Sequence, residues 1–218
     1  MRNRIVSFAL ISIGLGSLAL AGPPLVCFPF DTGGQPSLSW GGQGWHESDP
    51  KYDTANLASD TVNLLRNDVS VIARMETLRR AGIYAANDPK AGSALLGALK
   101  TRVKNGGEKQ SVAYALFDLG YFADTYRQAS RRDNSLEPHQ IDGYSLVSKA
   151  IEGLPESADI HFAAALMTAD RKDKKAEHER HLQQAAQGAQ EGSLLARNLV
   201  SHFQWRGKDL QSLRASVK

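Results

Sequence analysis

Two histidines in the run HERH, His178 and His181, stand at i and i+3, close enough on one helix face to share a metal ion. A zinc-protease helix needs i,i+4 spacing with a glutamate between as general base, and this run lacks it. Glu177 and Glu179 would offer oxygens only from awkward directions. The surrounding charges therefore predict a solvated helix side and no metal, with His178 and His181 as the residues to check. His161 and His202 each adjoin a phenylalanine, Phe162 and Phe203, which predicts positions at helix interfaces.

The remaining chemistry lies near the start, in CFPFDTGGQPSLSWGGQGWH, residues 27–46. Cys27 and His46 would make a thiolate pair if the fold brought them together. Trp40, Trp45 and His46 sit among Gly41, Gly42 and Gly44, which permit another surface to approach closely. There is no G-x-S-x-G elbow and no glycine loop ending in Lys-Ser/Thr. No catalytic residue and no cofactor is assigned.

The elements that must position these groups are helical. From residue 54 onward the apolar period is that of helices, with no strand alternation. Asp53 or Thr54 caps a first helix. Val71, Met75, Leu78, Gly82 and Ala85 form a stripe on the second, and Asp88-Pro89 opens a third that Asn105 to Gly107 ends. Val112, Leu116, Leu119, Ala123 and Tyr126 mark another, followed by a polar loop from Arg131 to Gln140. Pro155 and Ser157 separate two later helices, and a short last one begins near Lys208. Gly82 and Gly120 lie inside apolar stripes, where a missing Cβ lets a neighbouring helix approach closely.

The first 21 residues read as a signal peptide: Arg2 and Arg4, an uncharged run, then Ala19-Leu20-Ala21 before Pro23-Pro24. The run is too short and too rich in Gly and Ser for a comfortable membrane span. Export to the periplasm or beyond follows as an expectation. The whole chain carries 26 Lys+Arg against 23 Asp+Glu, so losing two arginines leaves a net charge of about +1. No basic stripe for nucleic acid is present. The single cysteine excludes an internal disulfide.

The stretch SKAIEGLPESADIHFAAALM, residues 148–167, resembles the junction between two tetratricopeptide repeats. Ala150 and Ile151 fill the alanine-led turn, Pro155 the terminating proline, and Ala158 the next start. LFDLGYFADTY resembles another first helix through Leu116, Leu119, Gly120 and Ala123. The family's aromatic is replaced by Ala123, and Ala164 and Ala165 stand where a leucine-glycine pair is usual. The likeness covers about residues 112–189. CFPFDTGGQPSLSW and RMETLRRAGIYA are also similar to segments of exported bacterial proteins without assigned activity. The tetratricopeptide resemblance implies stacked antiparallel hairpins with a concave face lined by first helices, a surface that binds peptides or proteins.

The expected molecule is therefore all-α: a signal peptide (1–21), an irregular aromatic, Gly- and Pro-rich segment (22–53), and a tetratricopeptide-like hairpin array (54–218). Phe28, Phe30, Trp40 and Trp45 are expected to pack as a cap over the first helices, closing an end of the array and burying Cys27. The alternative leaves Trp40, Trp45 and His46 exposed for a partner or glycan. The expected function is an exported interaction or scaffold protein with a protein or peptide partner in the cell envelope. The alternative is a periplasmic ligand- or metal-binding protein, or an enzyme, using the Cys27–His46 segment.

Overall fold

A computed structural model describes residues 23–42, 44–130 and 137–217. The signal-peptide reading lies outside these residues. Among them there are helices and no strands. A 3-10 turn, Thr54–Asn56, leads into α1 (Leu57–Leu64), followed by α2 (Val71–Asn87), α3 (Pro89–Asn105) and α4 (Lys109–Ala129). Then come α5 (Glu137–Gln140), α6 (Gly143–Gly153), α7 (Ala158–Thr168), α8 (Lys175–Gly188), α9 (Leu194–His202) and α10 (Leu210–Ser216). Glu137–Gln140, expected as loop, forms one helical turn in which Pro138 takes the second position, where a missing N–H breaks no bond.

Local chemistry sets the boundaries. Asp88 accepts from the amides of Lys90 and Ala91 with Pro89 at the first position of α3. Gly106 and Gly107, with φ of 64° and 125°, end it. Ser70, Asp142, Ser157 and Ser193 cap α2, α6, α7 and α9, and Asp209 with Ser212 makes a capping box for α10.

Contacts between helices fix their directions. Arg74 meets Asp118, and Gly82 lies against Thr125, so α2 and α4 run parallel. Gly120 touches Gly143 while Gly153 touches Ala113, so α6 runs antiparallel to α4. A Cβ on Gly120 would come within 2.5 Å of the Gly143 carbonyl, so the two backbones approach as only glycines allow. His178 meets Ala165, and Gly188 meets Ala158, so α8 runs antiparallel to α7. The core runs through all of them: Leu78, Phe117, Phe122, Val147, Phe162, Leu182 and Leu199 are each fully buried.

The N-terminal segment does not cap an end of this array. Residues 23–42 and 44–49 form an arm lying across α2, α4, α7 and α9. Leu25 and Val26 are buried, its amide at Leu25 donates to Gln128 of α4, and Phe30 packs edge-on against Phe162 of α7. Asp31 reaches Asn198 and Arg197 of α9. Of the four aromatics expected to be covered, only Phe30 is buried; Phe28 and Trp45 stay 38% and 39% exposed, and Trp40 is half-buried. The physical reason is backbone hydrogen bonding. The arm's peptide groups find partners on the helix side chains, and that pairing, rather than burial of the largest rings, sets its path.

Candidate functional site

The arm lies on a row of buried polar side chains supplied by one stretch of α2. Glu76 and Arg79 are fully buried and Arg80 is partly buried, and all three are paired. Arg79 Nε donates to Glu76 Oε2 at 2.8 Å and Arg80 Nε to Oε1 at 2.7 Å. Helical spacing of i+3 and i+4 puts both guanidiniums over one carboxylate. The remaining valences go to the arm. The Phe30 amide donates to Glu76 Oε2 at 3.1 Å, and Arg79 Nη1 donates to the carbonyls of Val26 and Trp45 at 3.0 and 3.3 Å. Arg80 donates to the Leu38 carbonyl. One turn further on, Tyr84 donates to the Ser39 carbonyl at 2.8 Å and accepts from the Asp49 amide at 3.0 Å.

The far end is held in the same manner. Asn198 on α9 accepts from the Asp31 amide at 3.0 Å and donates to its carbonyl at 2.9 Å, pairing with both main-chain groups of one residue as a neighbouring strand would. The His202 ring stacks on Phe30, 4.5 Å between centroids and 9° between planes, with Phe28 and Phe162 edge-on. Its Nδ1 faces the Asn198 carbonyl at 2.9 Å and its Nε2 the Phe28 carbonyl at 3.3 Å. Trp40 lies with the guanidiniums of Arg79 and Arg80 at 5.0 and 5.7 Å over its ring and its edge toward Tyr84. Those cation contacts explain why it stays only partly covered: the ring is a lid over charge.

His178 and His181, expected on a solvated face, are buried, 8% and 3% exposed. Both share the helix face of Leu182 and Ala185, four residues further on, a periodicity that outweighs the neighbouring charges. They do not converge. His178 Nδ1–H donates to the Ala165 carbonyl at 2.8 Å, while His181 meets His161, Nδ1 to Nδ1, at 2.9 Å. Tyr144 Oη lies 2.9 Å from His181 Nε2. The Pro155 carbonyl accepts from His161, which leaves a lone pair on His161 Nδ1. One tautomer set then satisfies the chain: Tyr144 donates to His181, and His181 donates to His161. Burial lowers His181 to about 4, with His161 and Arg180 adding to the effect. His161 is lowered for the same first reason. Among the described residues no three His, Cys, Asp or Glu side chains gather as a metal site.

Two cavities flank these groups. One of about 360 Å³ is lined by His161, Glu156, Gln184 and Gln187. The other, about 450 Å³, lies at the arm's start between Pro24, Asp124, Arg127, Asp142 and Arg171. Cys27 is half-buried in the turn at that end, its amide donating to the Pro23 carbonyl at 3.0 Å. His46 is exposed, with the Trp45 ring edge-on to it.

No protein-family model, curated protein or solved structure matches the chain. The site must be read from its own geometry. What that geometry offers is a face whose side chains recognise backbone: acceptors and donors on α2, α4 and α9 meet the amides and carbonyls of an irregular, turn-containing segment at intervals along its length. Reasoning from the sequence alone missed Glu76, Arg79, Arg80 and Asn198. The spacing of Glu76 with Arg79 and Arg80 was a visible signal of local pairing; the arm's place over it was not.

Proposed function

We propose that the chain is an exported interaction protein whose arm-bearing face holds an extended peptide segment, with tetratricopeptide-like hairpins as the scaffold. The observation that carries this reading is the arm itself. Glu76, Arg79, Arg80, Tyr84, Gln128 and Asn198 all engage its main chain, and such contacts are available to any segment that fits. The parallel course of α2 and α4, with α6 antiparallel to α4 and α8 antiparallel to α7, supports the repeat scaffold. In such a scaffold the first helices line the concave face, the surface that takes up peptides. The leader-like start of the chain supports export, and no described helix is long and apolar enough to cross a membrane.

The test uses the arm as its own probe. A labelled peptide copying residues 23–40 is titrated into the full chain and into Phe30→Ala, which removes the ring packed on Phe162 and His202. The variant is expected to bind the peptide at least about tenfold more tightly than the wild type, because its own arm competes less well. Adding Asn198→Ala to the variant should weaken that binding again. Equal, weak binding to the wild type and to Phe30→Ala would end the reading.

A further inference from the structure

We infer that His202 is an acid-operated latch on the arm: proton uptake by its imidazole loosens residues 25–38 from α2 and α9. The inference deepens the groove reading and rests on it for any consequence in trans; the arm's own opening can be followed with no partner present.

The argument begins with the charges around the ring. His202 is 4% exposed, covered by Phe28 and Phe30 from the arm and by Phe162 from α7, none of which carries charge. The charged groups acting on it come from α2: Glu76 favours the cation and Arg79 opposes it. Glu76 already lies under two guanidiniums, Arg79 and Arg80, so the cluster holds one more cation than anion before His202 is counted. A second net cation there has no carboxylate of its own and no water to screen it. The carbonyls of Asn198 and Phe28 pull the other way, but the Asn198 bond at 2.9 Å is made by the neutral ring through Nδ1–H. Only the longer contact to Phe28, 3.3 Å, is gained on protonation. Burial prevails and holds the imidazole below its ordinary range.

The arm is what buries the ring. Lifting Phe28 and Phe30 returns water to His202, so the open arm binds the proton more readily than the closed one. By linkage, the closed arm is fully favoured above the ordinary histidine range and loses ground as pH falls below it. Each unit between the two values shifts the arm's opening equilibrium tenfold.

Three amides report directly on the arm, because each donates to a side chain of the array: Leu25 to Gln128, Phe30 to Glu76, and Asp31 to Asn198. Their hydrogen exchange, corrected for intrinsic rates, is followed in the full chain from about pH 7.5 to about pH 5. The expected result is a loss of protection of about tenfold at all three, with core amides of α4 unchanged, and a His202 ring that titrates below the ordinary histidine range by NMR. His202→Gln and His202→Phe, the second keeping the stack on Phe30, should each abolish the slope. Protection that is flat or rises with acid in the wild type would overturn the latch, as would an unchanged slope in the variant that folds. If the slope is seen but no peptide binds in trans, the groove reading fails and the latch stands.

Discussion

Two buried ion clusters arise from seven consecutive residues, Arg74 to Arg80, on neighbouring faces of α2, and they do different jobs. Arg74 is fully buried and donates to both oxygens of Asp118 on α4, at 2.9 and 2.7 Å. Arg102 of α3 reaches the same carboxylate at 2.7 Å, and both arginines tie down the Leu65 carbonyl after α1. That cluster joins helix to helix. The other, Glu76 with Arg79 and Arg80, joins a helix to the backbone of a segment without regular structure. Its stoichiometry is the same, two arginines to one carboxylate, but the spare donors of Arg79 and Arg80 point at the arm's carbonyls. The same residue types serve as a permanent joint in one place and as a reading head in the other. The difference lies only in whether the partner is fixed by its own helix.

The comparison can be broken most forcefully at Asp118. Asp118→Ala leaves two guanidiniums without their anion, one of them fully buried. It should cost about 3–5 kcal/mol in global stability, read as a fall in the denaturant midpoint with the slope unchanged. Glu76→Ala makes the matching deletion on the other face. Its effect should be confined to the arm: proteolysis between residues 23 and 49, with the helical circular dichroism kept and a global loss of about 2 kcal/mol or less. Equal, cooperative collapse in both variants would show that the two clusters do the same work.

A third contrast comes from the histidine pair between α7 and α8, a neutral joint beside the charged ones. His181 is held at about 4 in the folded chain, below its ordinary value, so the unfolded chain takes up the proton first as pH falls. Stability should be full above about pH 6.5 and decline toward pH 4, by about 2 kcal/mol once solvent reaching His161 through its cavity is allowed for. Chemical denaturation at a series of pH values measures the slope, and His181→Gln should flatten it. The smallest expected effect is at the arm's surface pair. Arg197 and Asp31 are each about half exposed, so Arg197→Ala should change stability by less than about 1 kcal/mol and the arm's protection only slightly.

Much of the helical frame was legible. Asp88-Pro89, the Asn105–Gly107 stop and the glycines at 82 and 120 each carry a local cause that is visible without a fold: a cap, a positive φ, a missing Cβ. What was not legible is α2. Its stripe from Val71 to Ala85 implies one buried face, yet Glu76 and Arg79 are buried as well. The second covering layer is the arm, which has no period of its own and is placed by contacts far away in sequence. His181 shows the intermediate case. Its i+4 relation to Ala185 was present in the sequence, but the charges beside it pointed to solvent, and packing on α7 decided the matter.

The paired hydrogen bonds between Asp31 and Asn198 join positions 167 residues apart, almost the two extremes of the described chain. A row of packed helices left open behaves as a spring, each helix free to twist or fray against the next. A strap fastened at α2, α4 and α9 turns the spring into a braced girder, in which torsion at one end is transmitted to the other. Such a strap rests on contacts far apart in sequence, so it is expected to close after the helices it spans.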